Sequence, residues 1–377
     1  MTLSETIVKI WDYAYRELQQ SLDRSPISYP ATESGVELRI LRHLFSPEEA
    51  YIASKLAFMP KLLEKVYEEV VIEENYLSFG RVEQALDEMY AKGLIRCSIK
   101  SNKGKDRKFY SNAPLVVGFY EFQLNRLTEE FVRDVDQYFE EAFIAEANKT
   151  GIPQFRTIPV EQAVGIERNI MTYDDLRSII EKSGDLIVLN ECICRKKHDL
   201  LDDSCKRTDL RETCITFRSL AKEYLRQGLG RKISKDEAFE ILSVIEKEGL
   251  VLQPGNALNP LGICCCCGCC CDLLVNQKMF DAPAQYFASN YYAELDSNAC
   301  ISCGVCESRC NLDAITSYDE KYHIDLTRCI GCGNCSSVCS VEAITLVKKK
   351  EEILPPKNSY ETYKAIACEK TKLKETE

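Results

Sequence analysis

Long hydrophobic runs are absent from the 377-residue sequence, and so are the features of an export signal. Every 18-residue stretch contains charged or polar side chains, whereas a membrane-spanning helix needs an apolar run of that length. The first residues, to about position 25, have neither a basic segment followed by a continuous apolar stretch nor a small-residue cleavage site. These absences predict no membrane insertion and a cytoplasmic location.

Basic side chains are outnumbered: 48 Lys and Arg stand against 59 Asp and Glu, a formal net charge of −11. Such a chain is poorly suited to general nucleic-acid binding and better suited to binding basic protein surfaces.

The sequence has no GxGxxG, Walker A or GxSxG motif, so neither a nucleotide fold nor a serine hydrolase is indicated. Of the three histidines, His43, His198 and His323, only His198 lies near cysteines, and we expect it to be exposed or to pack rather than to bind metal.

Cysteine, in contrast, is abundant, with 21 residues, fifteen of them between Cys264 and Cys339. In a reducing cytoplasm, clustered cysteines are more often ligands of metals or clusters than partners in disulfides. Cys97 and Cys368 stand apart from the others, and we expect them to be structural or incidental. The cysteine pattern therefore points to metal chemistry.

Periodicity and composition predict an α+β, multi-domain chain. The predicted segments are an N-terminal docking helix (1–30), a mostly helical domain with a β-hairpin and an acidic closing helix (31–150), a mixed α/β, Cys-rich central domain (151–293), a second Cys-rich domain (294–347) and a polar charged tail (348–377). Polar residues, Gly151 and Pro153 suggest the boundary near residue 150.

Three helices and a β-hairpin are predicted between residues 31 and 110, an order that resembles a winged helix. Ser46, Pro47 and Glu49 have the spacing of a capped helix start, and a third helix over 78–92 stops at Gly93. This third helix would enter the DNA major groove, yet its polar face is acidic, whereas the hairpin is basic. Because carboxylates repel phosphate, DNA binding is disfavoured and packing or protein docking is favoured.

In the central segment, cysteines follow packed elements. A helix over 172–182, capped at Thr172, precedes a buried strand over 185–189, and cysteines begin directly afterwards. A further helix begins at Ser234, with Glu237 as its capping-box partner, and another apolar segment then leads to more cysteines. Two such loops are a plausible way to hold a metal centre on a rigid scaffold.

The strongest signal is an internal repeat of four cysteines with the spacing CxxCxxCxxxC. Cys300, Cys303, Cys306 and Cys310 are repeated 29 residues later as Cys329, Cys332, Cys335 and Cys339. Two-residue gaps let successive thiolates bind successive corners of one cubane, and the fourth cysteine binds the other cluster. Zinc and disulfides are the alternatives, but zinc sites normally use paired CxxC units, so iron–sulfur chemistry is favoured.

Residues 296–347 resemble bacterial two-cluster ferredoxins. The resemblance implies one [4Fe-4S] cluster bound by Cys300, Cys303, Cys306 and Cys339, and another bound by Cys329, Cys332, Cys335 and Cys310. The family usually has proline after the fourth cysteine of each motif, whereas this sequence has Asn311 and Ser340, which we expect to affect the cluster potentials.

Residues 296–347 contain seven carboxylates and three basic side chains, a net charge of −4. This charge predicts a redox partner protein with a basic docking surface.

A second cysteine set lies in the central segment. Seven of the eight residues from Cys264 to Cys271 are cysteines, and adjacent side chains diverge, so they cannot all face one ion. The predicted metal ligands are Cys192, Cys194, Cys205, Cys214, Cys264, Cys266, Cys267, Cys269, Cys270 and Cys271. One or two further iron–sulfur clusters are favoured here, with zinc or redox-active thiols as alternatives.

The chain as a whole resembles a family of anaerobe iron–sulfur proteins with a winged-helix-like N-terminal part, a CxCR segment, a Cys-rich run and a two-cluster ferredoxin. The matching pieces are residues 31–39, 192–195 and 263–271. The resemblance carries no assigned reaction.

Four basic residues lie close in sequence to the first cysteines of the central segment, and we expect them to offset cluster charge: Arg195, Lys196, Lys197 and Arg207.

These signals predict an iron–sulfur electron-transfer protein of anaerobic metabolism, a carrier or subunit more than a stand-alone enzyme. Single electrons would pass through the two ferredoxin-type clusters and the central clusters to or from a partner oxidoreductase. One alternative is a reductase whose central cluster binds a substrate. Another is a redox-responsive regulator that binds DNA through the winged helix. The sequence identifies no small-molecule substrate.

Overall fold

The computed structural model describes residues 3–73, 77–102, 104–163, 171 and 173–376. Helices and strands are mixed, in agreement with the predicted α+β class. The chain divides into two compact units, residues 1–149 and residues 150–377. Among the described residues, none of the helices has the length and apolar character that crossing a membrane requires.

The first unit is mostly helical. Its elements are α1 (Leu3–Asp23), α2 (Val36–Leu44), α3 (Pro47–Ser54), β1 (Lys61–Leu62), α4 (Leu63–Glu73), α5 (Phe79–Ala91), β2 (Ile95–Asn102), β3 (Lys105–Asn112), α6 (Glu129–Tyr138) and α7 (Ile144–Asn148). The three strands form an antiparallel sheet in the order β1-β3-β2. A π-helical turn, Phe139–Phe143, joins α6 to α7, so the predicted acidic helix is interrupted near its end.

Local sequence signals explain most of this unit. The capping box of Ser46 and Glu49 is confirmed, as is the β-hairpin. Helix α4 was not predicted, although Leu63, Val66 and Val70 are buried at helical spacing.

The N-terminal segment, predicted as a docking helix, lies within the core of the first unit. Ala14 and Leu18 on α1 are fully buried there. The side chains of Ile7 and Trp11, which precede Ala14 and Leu18 at helical spacing in the sequence, lie outside the described residues.

The second unit contains all the predicted metal ligands. Its elements are α8 (Leu176–Glu181), β4 (Ile187–Glu191), α9 (Ile193–Leu200), β5 (Glu212–Phe217), α10 (Arg218–Arg226), β6 (Arg231–Ile233), α11 (Lys235–Lys247), β7 (Val251–Pro254), β8 (Gly262–Cys266), α12 (Asp272–Gln277), β9 (Tyr291–Leu295), α13 (Val305–Arg309), β10 (Ile315–Tyr318), β11 (Lys321–Ile324), β12 (Ile344–Lys348) and α14 (Ser359–Thr376).

A five-stranded antiparallel sheet in the order β6-β4-β5-β8-β7 forms the centre of this unit. Its apolar side chains join those of α8 and α11 in one core, which includes Ile187, Phe217 and Leu242. In the register of β5 and β8, Cys214 lies opposite Cys264. The sheet therefore brings together cysteines that are far apart in sequence.

Helix caps were predicted at Ser234, with Glu237 as its partner, and at Thr172. Ser234 caps α11 by accepting a hydrogen bond from the backbone N–H of Glu237, whose own carboxylate binds Arg231 instead of closing a capping box. The other helix, α8, is capped by Asp175. The predicted cap, Thr172, lies outside the described residues.

The ferredoxin-like segment is built from two small antiparallel ribbons. Strand β9 pairs with β12, and β10 pairs with β11. Each cysteine quartet contributes a loop and a short helical turn, α13 in the first half and a 3₁₀ turn over Ser336–Val338 in the second. A strand follows each turn, β10 in the first half and β12 in the second.

The end of the chain differs from the predicted solvated tail. It forms the helix α14, which buries Ile366. The hydroxyl of Thr362 donates a hydrogen bond of 2.6 Å to the carbonyl of Asn256. Charged residues outnumber apolar ones in this segment, but a few contacts at helical spacing are enough to hold it against the second unit.

Glu246 on α11 makes the second unit sensitive to pH. Its side chain is buried, and burial raises its pKa to about 7. A raised carboxyl pKa stabilises the fold below the ordinary pKa of about 4.5, and this contribution is lost as pH rises towards about 7. We expect Glu246→Gln to weaken the fall in melting temperature between about pH 5.5 and about pH 8.

The matched control for this prediction is Glu240→Gln, because Glu240 is exposed on the same helix. Thermal unfolding under anaerobic conditions is the measurement. An equal pH dependence in wild type and Glu246→Gln would contradict the assignment.

Candidate metal centres

One cavity in the ferredoxin-like segment is lined by four of the predicted ligands. These are Cys310, Cys329, Cys332 and Cys335, the set implied for the second cluster. Arg328 and the backbone of Gly331 and Gly333 also line this cavity. Three of its cysteines come from one loop and the fourth comes from the other quartet, as the exchange of ligands between two clusters requires.

Backbone N–H groups point at several of these sulfurs. The N–H of Ala314 lies 3.2 Å from the sulfur of Cys310, and the N–H of Ala343 lies 3.2 Å from that of Cys339. These two pairs occupy equivalent positions of the repeat. The N–H of Ala293 lies 3.4 Å from the sulfur of Cys329. Such N–H donors stabilise the negative charge that a thiolate or a bound cluster places on sulfur.

Burial controls protonation at these cysteines. It raises the pKa of Cys332 to about 12 and raises the pKa values of Cys310 and Cys335 as well. Ligands bind metals as thiolates, so loading this cavity releases protons. The free energy of metal binding must therefore exceed the cost of deprotonating buried thiols.

The set implied for the first cluster lies nearer the surface. Cys303 is exposed, Cys300 and Cys339 are half-buried, and Cys306 is buried. Cys300 and Cys303 lie close enough to Cys306 to raise its pKa, after the larger effect of burial. The exposed apolar side chain of Ile301 lies beside this loop.

The central cysteines separate into two groups. The first, which we call the four-thiol group, consists of Cys205, Cys267, Cys269 and Cys270, whose sulfurs all lie within 4.8 Å of one another. A hydrogen bond from Cys270, followed by the charge of Arg195, lowers the pKa of Cys267 to about 4.

The second, which we call the six-thiol group, consists of Cys192, Cys194, Cys214, Cys264, Cys266 and Cys271. Side-chain hydrogen bonds join them in the order Cys192, Cys194, Cys271, Cys266, Cys264, Cys214. Hydrogen bonds from neighbouring thiols lower the pKa values of Cys192 and Cys264 and lower that of Cys271 to about 5. In the described part of the chain, no three of these sulfurs gather as closely as those of the four-thiol group.

Strand alternation explains how one run of cysteines supplies both groups. Side chains alternate across a strand, so Cys264 and Cys266 on β8 share a face, and Cys214 opposite Cys264 shares it too. Cys265 points to the other face and is buried in the apolar core. Sequence reasoning did not include Cys265 among the ligands.

Arg195 lies between the two groups. Its side chain is almost fully buried, and its guanidinium donates a hydrogen bond of 3.1 Å to the carbonyl of Cys265. It also hydrogen-bonds to Cys205 and lies close to Cys192 and Cys267. Of the four basic residues expected to offset cluster charge, this is the one that the structure places among the thiols.

The other three basic residues have different partners. Lys196 forms an ion pair with Glu191, and Arg207 donates a hydrogen bond to the carbonyl of Ser308. Lys197 forms a buried ion pair with Asp272, whose other carboxylate oxygen lies 3.4 Å from the sulfur of Cys194. His198 lies 3.2 Å from Asp203 and belongs to neither thiol group.

Two asparagines attach the ferredoxin-like segment to the central part of the unit. The side-chain oxygen of Asn311 accepts a hydrogen bond of 2.9 Å from the backbone N–H of Gly268, and its amide donates to the carbonyl of Gly249. The amide of Asn334 donates to the carbonyls of Gly249 and Leu250. Asn311 stands where proline is usual in the family, and proline could make neither bond.

Comparison with known proteins supports the ferredoxin-like segment. A family model described as a 4Fe-4S dicluster domain matches residues 293–346. No curated protein and no solved structure matches the chain significantly. The C-terminal part of the second unit is therefore a ferredoxin-type iron–sulfur domain.

Gly268 allows the cysteine run to approach this domain. A Cβ atom at this position would lie 2.2 Å from the backbone oxygen of Asn311. We expect Gly268→Ala to push the two segments apart, to destabilise the protein by roughly 1–3 kcal/mol and to lower its iron content. Iron analysis and thermal unfolding are the measurements.

Gly255→Ala is the matched control, because a Cβ there would meet only Pro260, at an ordinary contact distance of 3.8 Å. Equal stability and iron content in the two variants would contradict the proposed role of the Gly268 contact.

Proposed function

We propose that the protein is an iron–sulfur electron-transfer protein of anaerobic metabolism. It passes single electrons between a partner oxidoreductase, two [4Fe-4S] clusters of the ferredoxin-type domain and a further cluster in the six-thiol group. The observation that carries this proposal is the hydrogen-bonded contact between Asn311, next to Cys310, and Gly268 in the central cysteine run. The same run supplies Cys266 and Cys271 of the six-thiol group, and these pack in one apolar cluster with Cys332 of the ferredoxin-type domain.

The residues of the ferredoxin-type domain fit two cubanes. The cavity presents four thiols from two loops, and N–H groups lie beside Cys310 and Cys339. A bound cluster supplies the reversible one-electron chemistry, and the protein supplies ligation, burial and hydrogen bonds. The chain would thus tune the two potentials differently, since one set of thiols is more exposed than the other.

Exposure suggests the order of transfer. The set containing Cys303 lies at the surface, where a partner can approach, whereas the set containing Cys310 lies against the central cysteines. Electrons would enter or leave at the first set and exchange with the six-thiol group through the second. A surface-exposed cluster is also accessible to oxygen, which is consistent with an anaerobic setting.

The six-thiol group fits a cluster better than a single ion. Its sulfurs extend over several residues of β5, β8 and the start of α9 rather than converging on one point. Hydrogen bonds lower the pKa values of three of its thiols, which favours the thiolate form that ligation needs.

Surface charge supports a basic partner. All seven carboxylates of residues 296–347 are exposed, among them Asp319 and Glu320. Two of the three basic side chains are engaged internally, since Arg309 donates to the carbonyl of Glu246 and Arg328 donates to that of Leu312. One carboxylate, Asp313, is paired with Lys278, and the others keep the exposed surface of this segment negative.

Internal pairing in the first unit supports protein docking over DNA binding. In the predicted winged helix, Lys108 of the hairpin forms ion pairs of 2.8 Å with Glu83 and 2.7 Å with Asp87 of α5. The hydroxyl of Tyr110 donates to Asp87 as well. Part of the hairpin's positive charge is thus neutralised by the helix that would have to enter the major groove.

Iron and acid-labile sulfide per chain, with zinc in the same sample, provide the first test of the proposed function. We expect more than about eight irons per chain in anaerobically purified protein, and reduced-state EPR signals from interacting cubanes. A content of about eight would confine electron transfer to the ferredoxin-type domain. Absence of redox-active clusters would contradict the proposal altogether.

Docking through the acidic surface predicts a salt dependence. Glu320 lies in the turn between β10 and β11, and its carbonyl accepts a hydrogen bond from Ser302 in the first cysteine loop. We expect Glu320→Lys to slow reduction of a basic cytochrome c by about two- to fivefold at low salt, with little effect at high salt.

Glu240→Lys changes the net charge equally from an exposed position on α11 and is the matched control. Stopped-flow absorbance at several ionic strengths gives the rates. Equal rates for the two variants, or a wild-type rate that rises with salt, would rule out docking at this surface.

A further inference from the structure

The four-thiol group has the dimensions of a site for one ion. The sulfur of Cys205 lies 3.7 Å from those of Cys267 and Cys269, and Cys269 lies 3.7 Å from Cys270. A single tetrahedral ion with metal–sulfur bonds of about 2.3 Å places its ligand sulfurs about 3.8 Å apart. The observed separations match that value.

A cubane requires a wider arrangement. Each of its terminal thiolates binds a different iron, so two ligand sulfurs are separated by an iron–iron edge in addition to two iron–sulfur bonds. The ferredoxin-type domain provides an internal comparison. Among the described residues, no three of its eight cysteines bring their sulfurs within 4.8 Å of one another, whereas all four in the four-thiol group do.

We propose that Cys205, Cys267, Cys269 and Cys270 bind a single zinc ion, separate from the iron–sulfur clusters. Four thiolates complete the tetrahedral coordination of zinc and leave no open position, which is typical of a structural site. This assignment resolves the crowded cysteine run, because Cys267, Cys269 and Cys270 serve the ion while Cys264, Cys266 and Cys271 belong to the six-thiol group.

Neighbouring groups are suited to a site with a net negative charge. Zinc with four thiolates carries an overall charge of −2, and the buried guanidinium of Arg195 hydrogen-bonds to Cys205. The backbone N–H of Lys206 donates to the sulfur of Cys269. Both contacts provide the second layer of hydrogen bonds that orients metal ligands.

The ion would join two segments that lie outside the paired strands. Cys205 belongs to the loop between α9 and β5, and the other three ligands belong to the turn after β8. The same loop carries Arg207, which donates a hydrogen bond of 2.9 Å to the carbonyl of Ser308 in the ferredoxin-type domain. Zinc would therefore hold this loop in place between the cysteine run and that domain.

Metal analysis of the full-length protein tests the proposal. From anaerobic cells supplied with iron and zinc, we expect about one zinc per chain in wild type and less than about one fifth of that in Cys205→Ser. Iron, sulfide and the ferredoxin-type EPR signal should remain unchanged in this variant. Cys368→Ser removes an exposed thiol on α14 and should keep its zinc.

Two results would overturn the assignment. One is a loss of about four irons and about four sulfides in Cys205→Ser, because that pattern identifies a cubane. The other is a single iron ion in place of zinc in the wild-type protein.

A second measurement covers the case in which Cys205→Ser does not fold. Cobalt(II) exchanged for zinc in the wild-type protein should give the intense visible absorption of tetrahedral four-thiolate coordination, and absence of those bands would overturn the proposal. The EPR signal of the ferredoxin-type clusters reports on electron transfer separately, so failure of either proposal is distinguishable from failure of the other.

Discussion

The close approach of Gly268 to Asn311 is the constraint on which the second unit depends. Without a side chain at Gly268, the cysteine run lies directly on the backbone that follows Cys310, and the amide of Asn311 satisfies polar groups on both sides. Buried backbone groups that lose their partners cost free energy, so this contact is specific as well as close. It makes a central cysteine region and a ferredoxin-type domain into one packed unit.

Charge is the second constraint, because ten central cysteines lie on or close to strands β5 and β8 and the neighbouring helix starts. Each thiolate removed from water needs a compensating charge or hydrogen bond. The protein meets this need with the buried Arg195, with N–H donors and with protons shared between neighbouring thiols. Lys197 forms an ion pair with Asp272, so its positive charge does little to stabilise nearby thiolates.

The spacing of residues in the sequence predicted those features whose interacting groups are close together along the chain. The two cysteine quartets identify a ferredoxin-type domain, since the ligand spacing alone determines which thiols can reach one cubane. The helix cap at Ser46 likewise depends on neighbouring residues. In contrast, the division of residues 264–271 between two groups depends on the register of β8 against β5, which places Cys214 opposite Cys264. Contacts of that kind are not encoded in any short segment, so the sequence left the central ligands undivided. Asn311 was visible as a departure from the usual proline, but its partners lie 43 and 62 residues away.

The asparagine after Cys310 also limits the modularity of this domain. A free-standing ferredoxin can close that loop with a rigid proline, because nothing else has to bind there. In this protein, Asn311 replaces the proline and forms two hydrogen bonds with the central segment, to Gly268 and Gly249. The buried amide of Asn334 donates two more. Such a domain is no longer interchangeable: a grafted proline-bearing ferredoxin would bring its clusters but leave the N–H of Gly268 and the carbonyl of Gly249 with fewer partners. The ferredoxin-type domain and the central cysteine region are therefore matched to each other, and neither can be exchanged alone without loss of these contacts.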